Sequence, residues 1–223
     1  MAARINSSCE TAKTSAGYYD FMKLLTCALI VASLAFADGA PLSAQSATGR
    51  ALGPVTAAVR IDVFSDFECP ACKSLHEQTL KRVREEFAAK GKLRLVHHDF
   101  PLPQHKHARR AAALAAAADR FGKFEIVSDT LFRQQETWSK NGGVDEVVDS
   151  VLTPEERKKI DEIANDPAIA ANIERDIQLG QRMNVSSTPT MIVTHNGKPN
   201  PVVGVVTFAV FSKYLNSLFG AAQ

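Results

Sequence analysis

Residues 63–72 read VFSDFECPAC, a run that leads from strand-forming apolar residues into two cysteines separated by a dipeptide. The alternating, β-rich residues 59–64 predict a first strand, and residues 70–89 predict a helix that stops before a glycine. Cys69 and Cys72 therefore lie where the strand gives way to the helix. Two cysteines at this spacing and in this position indicate a redox-active dithiol.

Cys69 and Cys72 are also the last two of the four cysteines in the sequence. The other two, Cys9 and Cys27, lie before or within an apolar N-terminal segment that has the pattern of an export signal. A mature exported protein would then carry no thiol besides the pair. A purely structural disulfide between Cys69 and Cys72 would close a very short loop and contribute little stability, so we favour a reactive role.

The composition is that of an ordinary globular domain. The chain has 223 residues, of which 45% are hydrophobic and 22% are charged, and its formal net charge is +2. This length allows one domain with a substantial core and an inserted subdomain. The nearly balanced charge gives no indication of a nucleic-acid partner or of a role at a membrane surface.

The N-terminal part of the chain has the pattern of an export segment. Residues 24–37 read LLTCALIVASLAFA and carry no charge. They are too short for a typical membrane-spanning helix, which needs about 20 apolar residues, but they suit the apolar core of a signal peptide. The Ala-Phe-Ala at 35–37 is a cleavage pattern, and either Met1 or Met22 could be the initiator. We assign residues 1–44 to a signal peptide or an uncleaved signal-anchor, and we expect a periplasmic or other extracytoplasmic location.

The rest of the chain divides into a linker and one domain. Residues 45–55 are small, polar and punctuated by glycine and proline, so we predict a linker there and a domain over residues 56–223. The strand and helix patterns follow the order β-α-β, four or so helices, then β-β-α. This order predicts an α/β layered fold, in which the helices at about 104–183 form an insertion.

Two local signals mark element boundaries. Residues 153–156 read TPEE, a capping box with proline at the first helical position, and they predict the start of a helix. Residues 196–197 read NG between two strand-like segments. They predict a tight hairpin turn.

The position of Cys69 at a helix N-terminus predicts different roles for the two thiols. A free thiol has a pKa of about 8.5, and free helix amides together with the positive end of the helix dipole lower it. Pro70 suits the first helical position because its missing N–H would be unpaired there in any case. Cys72 lies one turn deeper. We therefore predict that Cys69 attacks and that Cys72 resolves the mixed disulfide.

Charged neighbours of the dithiol act in both directions. Asp66 and Glu68 oppose a thiolate by like-charge repulsion, whereas Lys73 and His76 could favour it. The sequence leaves this sum open. We expect a lowered but not extreme pKa for Cys69.

Three motifs, in this order, resemble the DsbA-like branch of the thioredoxin superfamily. They are VFSDFECPAC at 63–72, RLVHHDFPL at 94–102 and STPT at 187–190. The resemblance covers most of residues 55–220, and it implies a thioredoxin-like fold with a helical insertion and periplasmic thiol-disulfide oxidoreductase activity. It also implies a cis peptide bond before Pro189, facing the active-site disulfide, and a Thr188 backbone that pairs with a substrate strand.

Two positions depart from that family's pattern. Similar proteins often have a buried glutamate six residues before the first active cysteine, and that position here is Val63. Asp62 is adjacent, but strand alternation places it on the opposite face. The dipeptide Pro70-Ala71 lacks a histidine that could stabilise the thiolate as in the strongest oxidants. Potentials of such proteins span about −270 to −120 mV, and we expect an intermediate value.

The direction of electron flow stays open between oxidase, isomerase and reductase, since all three share such a pair. A dedicated isomerase usually needs a second domain or a dimerisation stalk, and residues 38–54 are too short for one. This favours a monomeric oxidase. We expect its partners to be exported proteins with free thiols or disulfides and a quinone-linked membrane reoxidase or reductase, and we expect no cofactor.

Two other interpretations do not need redox chemistry. Zinc could bind Cys69 and Cys72 with ligands from His97, His98, His105 and His107, but the histidine spacing does not fit and no second C-x-x-C follows. A non-catalytic chaperone could hold extended peptides in the groove beside Pro189. Loss of redox activity in Cys69→Ser would separate catalysis from such a chaperone role.

Overall fold

The computed structural model describes residues 49–220, which contain a five-stranded mixed sheet. The strands are Ala51–Leu52 (β1), Val59–Ser65 (β2), Arg94–Asp99 (β3), Thr190–His195 (β4) and Lys198–Val203 (β5). Their spatial order is β1-β3-β2-β4-β5. Strands β2 and β3 are parallel, and the other neighbours are antiparallel. The predicted export segment lies outside the described residues.

Helices connect and cover these strands. The first, α1, spans residues 70–88 and includes two π-helical segments. The others are Ala108–Asp119 (α2), Phe124–Arg133 (α3), Gln135–Asn141 (α4), Val144–Asp149 (α5), Pro154–Ala164 (α6), Pro167–Arg182 (α7) and Phe208–Gly220 (α8). Helices α2 to α7 all lie between β3 and β4, where the sequence predicted a helical insertion.

The two faces of the sheet pack against different helices. Ile61 and Val63 of β2 belong to an apolar cluster with side chains of α1 and α8. Phe64, one residue further, belongs instead to a cluster with α7. The alternation along β2 therefore puts Val63 on the face of the active-site helix and puts Asp62 on the other, as the sequence predicted.

Helix α2 lies at the centre of the insertion. The side chains of residues 111–118 are all buried, and seven of these eight residues are alanine. Such small side chains let α3, α6 and α7 approach α2 closely. Trp138 of α4 is fully buried in the same cluster, and its indole N–H donates to the Leu131 carbonyl at 2.7 Å.

Several elements differ from the predicted ones. Residues 51–52, within the predicted linker, form a strand because they pair with β3. The helical spacing of apolar residues over 124–136 predicts one helix, but α3 ends at Arg133 and α4 begins at Gln135. The valines at 202–203 predict a short strand, but β5 already begins at Lys198 although it contains two prolines. It is an edge strand, where proline is tolerated.

The two local signals are confirmed. The Thr153 hydroxyl accepts from the Glu156 N–H, and the Glu156 carboxylate accepts from the Thr153 N–H, which completes the capping box. Asn196 and Gly197 both have positive φ, at 49° and 73°, as the tight turn between β4 and β5 requires. None of the helices in residues 49–220 combines the length and the apolar character needed to span a membrane.

Candidate active site

Cys69 and Cys72 lie at the N-terminal end of α1 as free thiols. Cys69 has extended backbone angles, with φ −80° and ψ 122°, and Pro70 begins the helix directly after it. Proline fixes φ near the helical value and has no N–H to leave unpaired at this position. Cys69 is 7% exposed and Cys72 is 1% exposed, so Cys72 is the deeper thiol, as predicted.

The surroundings of Cys69 favour its thiolate. Its pKa is lowered to about 5, first by the hydrogen bond from the Cys72 thiol, and further by the Thr188 side chain and by the backbone N–H groups of Cys72 and Ala71. Burial acts in the opposite direction but is outweighed. The amides at the start of α1 thus help to make Cys69 a nucleophile at neutral pH.

The surroundings of Cys72 favour its protonated form. Burial raises the pKa of this thiol well above its ordinary value, and the neighbouring Cys69 raises it further. The Asp66 N–H, 3.4 Å from the Cys72 sulfur, and the Ser65 side chain offset this only in part. The arrangement therefore separates an ionised outer thiol from a neutral inner one.

The loop before β4 brings Thr188 and Pro189 to the dithiol, from far away in the sequence. The Thr188–Pro189 peptide bond is cis. The Cys69 sulfur lies 3.5 Å from the Thr188 carbonyl oxygen. The Pro189 carbonyl accepts from the Gly204 N–H at 2.8 Å, which ties the loop to the end of β5. The structure thus brings together all six predicted positions: Cys69, Pro70, Ala71, Cys72, Thr188 and Pro189.

A groove of about 520 Å³ opens between this loop and the edge of the sheet. Its lining is mostly apolar and includes Met183, Ser187, Thr190, Ile192, Pro199 and Val203. Val203, the last residue of β5, is 66% exposed, and Val205, two residues later, is 45% exposed. Apolar side chains are therefore presented to solvent beside the cis-proline loop.

A family model described as thioredoxin matches residues 45–203 of this chain. The chain belongs to the thioredoxin family. A probable disulfide bond formation protein D from Bacillus cereus is 26% identical over 154 residues, which are 67% of this chain and 71% of that protein. Disulfide bond formation protein D from Bacillus subtilis is 28% identical over 154 residues, 64% of this chain and 66% of that protein.

A solved structure supports the same fold assignment. The α-DsbA1 protein of Wolbachia pipientis has 19% sequence identity and a TM-score of 0.66, and the match covers 78% of this chain and 92% of that one. The predicted thioredoxin-like fold with a helical insertion is confirmed. This thioredoxin-family chain is a DsbA-like thiol-disulfide oxidoreductase, as the resemblance implied.

The charged residues near the dithiol are paired with groups other than the thiols. Lys73 lies 3.2 Å from a Glu136 carboxylate oxygen, and His76 lies 2.6 Å from Asp129. The Glu68 carboxylate accepts from the backbone N–H that precedes α2. Stabilisation of the Cys69 thiolate therefore comes from hydrogen bonds rather than from the two cations suggested by the sequence.

One residue of this oxidoreductase that the sequence did not reveal is Gln135. It begins α4 and is 3% exposed, and its amide donates to the Phe67 carbonyl at 2.6 Å and to the Cys69 carbonyl at 3.0 Å. Gln135 thus attaches the helical insertion to the turn that carries Cys69. Its isolated position, 66 residues after Cys69, gave no sequence signal.

Three of the four histidines considered as zinc ligands are hydrogen-bonded to carboxylates. His97 pairs with Asp99, His98 bridges Asp62 and Asp176, and His105 binds Asp66. Residues 49–220 contain no group of three or more histidine, cysteine, aspartate or glutamate side chains placed to hold a metal ion. The carboxylate partners account for the three histidines as hydrogen-bonding groups of the fold.

Proposed function

We propose that this protein is an exported oxidase, which transfers the disulfide of Cys69 and Cys72 to other exported proteins. The observation that carries the proposal is the position of the Cys69 sulfur, at the N-terminus of α1 among hydrogen-bond donors that stabilise its thiolate. A stabilised thiolate stabilises the reduced protein. A disulfide whose reduced form is stabilised is a good oxidant.

The transfer balances in two exchange steps. A substrate thiolate attacks the Cys69 sulfur of the disulfide, forms a mixed disulfide and expels Cys72 as a thiolate, which then takes up a proton. A second substrate thiolate attacks the substrate sulfur of the mixed disulfide and expels the Cys69 thiolate. The substrate loses two electrons and gains a disulfide, and the protein is left with Cys69 and Cys72 reduced.

The cis-proline loop is the proposed binding site for the substrate. We assign substrate binding to Thr188 and Pro189, because the Thr188 carbonyl lies 3.5 Å from the Cys69 sulfur. A peptide strand laid along this loop would bring its own cysteine to Cys69. The exposed Val203 and Val205 nearby suit the apolar segments that an unfolded substrate displays.

The reduced protein must be reoxidised before it can act again. We propose that a quinone-linked membrane protein accepts the two electrons, so that no cofactor is bound by this chain. The curated relatives whose names refer to disulfide bond formation support net oxidation rather than reduction. We propose a monomer, because residues 38–54 are too short for a dimerisation stalk. We place it in the periplasm or another extracytoplasmic space, because residues 24–37 have the pattern of a signal peptide.

A refolding assay tests the proposal. The oxidised protein is mixed with a reduced, unfolded protein substrate that needs one disulfide, and the substrate's disulfide is followed by mass after alkylation. We expect one disulfide transferred per oxidised molecule, and none from Cys69→Ser. Ser74→Ala, at a half-buried position one turn along α1, is the matched control and should transfer normally.

The same assay separates the alternatives. If a mixture of scrambled substrates is corrected while reduced substrate is not oxidised, the protein is an isomerase. If Cys69→Ser still prevents aggregation of the substrate and the wild-type protein oxidises nothing, the protein is a chaperone. Either result overturns the oxidase proposal.

Export is tested on the protein recovered from cells. We expect the mature N-terminus to lie between residues 38 and 47, in the soluble extracytoplasmic fraction. Mass spectrometry that recovers peptides from residues 24–37 in the mature protein would indicate a signal-anchor instead.

A further inference from the structure

Asp66 is a buried carboxylate in the turn between β2 and the dithiol. It is 1% exposed, and both of its oxygens accept hydrogen bonds. The Glu68 N–H donates to Oδ1 at 2.8 Å, and the Leu102 N–H donates to Oδ2 at 2.8 Å. His105 Nδ1 lies 2.6 Å from Oδ2. The two backbone groups donate, and His105 Nδ1 donates as well when it carries a proton; an ionised carboxylate accepts from all three.

The main chain of Asp66 touches both cysteines. Its N–H donates to the Cys72 sulfur at 3.4 Å, and its carbonyl accepts from the Cys69 N–H at 3.1 Å. The side chain of Asp66 therefore holds in place a turn whose backbone contacts the two reacting residues. A substitution of this side chain would therefore act on the dithiol directly, through the backbone of the turn.

The charge of Asp66 acts against a thiolate. Burial raises the pKa of this carboxyl, and the hydrogen bonds from Leu102, His105 and Glu68 counter the effect only in part. A negative charge in the turn that leads to Cys69 disfavours a second negative charge on its sulfur. Val63 supplies no acid beneath the dithiol, and Asp66 is a buried acid whose backbone is hydrogen-bonded to both cysteines.

His105 is the side chain that can compensate this charge. It lies in the loop between β3 and α2, 20% of its side chain is exposed, and its ring nitrogen meets the Asp66 carboxylate. The other acid of the turn, Glu68, is already occupied by the His107 N–H. His105 thus connects the buried carboxylate to solvent.

We infer that Asp66 and His105 are a pair of positioning residues that sets how strongly the Cys69–Cys72 disulfide oxidises. Asp66 fixes the turn whose backbone contacts both cysteines, and His105 masks the charge that this carboxylate would otherwise direct at Cys69. The inference rests on the proposed function, in which Cys69 and Cys72 are the redox pair.

Two substitutions should shift the redox equilibrium in opposite directions. His105→Gln leaves the Asp66 charge less compensated, so the equilibrium with glutathione moves toward the protein disulfide by about threefold to tenfold. Asp66→Asn removes the charge, so the equilibrium moves toward the dithiol by a similar factor. The double variant should match Asp66→Asn alone, because His105 acts through Asp66.

The matched control is Asp62→Asn. Like Asp66, Asp62 is a buried aspartate that contacts a histidine, with 2.7 Å between its carboxylate and His98. Unlike Asp66, it lies within β2, on the face of the sheet that points away from α1 and the dithiol. It should lower stability and leave the glutathione equilibrium within a factor of two of the wild-type value. If Asp66 had a purely structural role, both aspartate variants would be less stable and both would keep the glutathione equilibrium of the wild type.

The outcomes separate this inference from the proposed function. If the wild-type pair does not exchange with glutathione, the proposed redox pair fails and the inference fails with it. If the wild-type pair exchanges but His105→Gln does not shift the equilibrium, or shifts it toward the dithiol, the inference alone is overturned. His105→Gln decides the question even if Asp66→Asn does not fold.

Discussion

The sulfur of Cys69 lies at the open end of α1, whereas the sulfur of Cys72 is enclosed one turn further along the helix. The hydrogen bond from the Cys72 thiol, together with those from the helix amides, lowers the pKa of Cys69 to about 5, and burial raises the pKa of Cys72. Cys69, the more exposed sulfur, is attacked in the first exchange, and its low pKa makes it a good leaving group in the second. The two residues therefore play different parts although only a dipeptide separates them.

This difference predicts an asymmetric trapping experiment. Cys72→Ala leaves the nucleophile Cys69 without its resolving partner, so mixed disulfides with exported proteins should accumulate. Cys69→Ala leaves only a buried, protonated thiol and should accumulate none. Non-reducing gels of extracts from cells that express each variant provide the measurement. Equal trapping by both variants would show that the two roles are wrongly assigned.

At the scale of elements, Gln135 attaches the helical insertion to the turn that carries Cys69. Gln135 of α4 donates to the carbonyls of Phe67 and Cys69, and it is buried together with Trp138 of the same helix. The Cys69 carbonyl also accepts from the Lys73 N–H, so the Phe67 carbonyl depends on Gln135 more than the Cys69 carbonyl does. The insertion thus supports the turn that orients Cys69.

Truncation of this side chain should affect both stability and exchange. Gln135→Ala leaves a buried carbonyl without its donor, which costs about 1–3 kcal/mol in unfolding free energy. The exchange rate with a dithiol peptide should fall as well, because the turn before Cys69 loses its anchor. Denaturant unfolding and stopped-flow exchange measure the two effects. Gln134→Ala, at the neighbouring half-buried position, is the control and should change neither by a comparable amount.

At the scale of the whole molecule, a buried ionic network joins the sheet to α7. His98 on β3 lies 2.7 Å from Asp62 on β2 and 3.0 Å from Asp176 on α7. Burial alone would lower the pKa of His98, but the hydrogen bonds to Asp176 and Asp62 outweigh it and raise the pKa. Burial alone would raise the pKa of Asp62 and of Asp176, but His98 and the adjacent arginines hold both below their ordinary values.

The signs of these shifts predict a window of pH. A raised histidine pKa gives stability that is fully present below about 6.5 and is lost as pH rises through the folded value. The lowered aspartate pKa values give stability that is present above about 4 and is lost as pH falls. The stability difference between wild type and His98→Gln should therefore be largest at about pH 4.5 to 6.5.

Wild type is compared with His98→Gln because both proteins also contain His97. Burial lowers the pKa of His97, so its effect on the pH dependence of stability is opposite to that of His98, and it cancels in the comparison. Unfolding free energies at a series of pH values measure the difference. His195→Gln, at the half-buried end of β4, is the control and should give no such window. A difference that stays constant from pH 4 to pH 8 would mean that folding does not shift the pKa of His98.

Local features of this chain were predictable, and contacts between distant residues were not. The dithiol at a helix start and the opposite faces of Asp62 and Val63 follow from spacing and strand alternation alone. Gln135 and His105 reach the active site across 66 and 39 residues of chain, and nothing in their neighbourhood marks them. The sequence left open whether Lys73 and His76 favour the Cys69 thiolate for the same reason: their carboxylate partners, Glu136 and Asp129, come from the insertion.

The equilibrium of the Cys69–Cys72 pair with glutathione decides whether this pair is an oxidant. The stabilised Cys69 thiolate predicts a potential clearly above about −270 mV, the value of a reducing thioredoxin, and within the range that extends to about −120 mV. Such a value would make the pair an oxidant of exported thiols. A potential at or below about −270 mV would contradict the account, because the pair would then donate electrons rather than accept them.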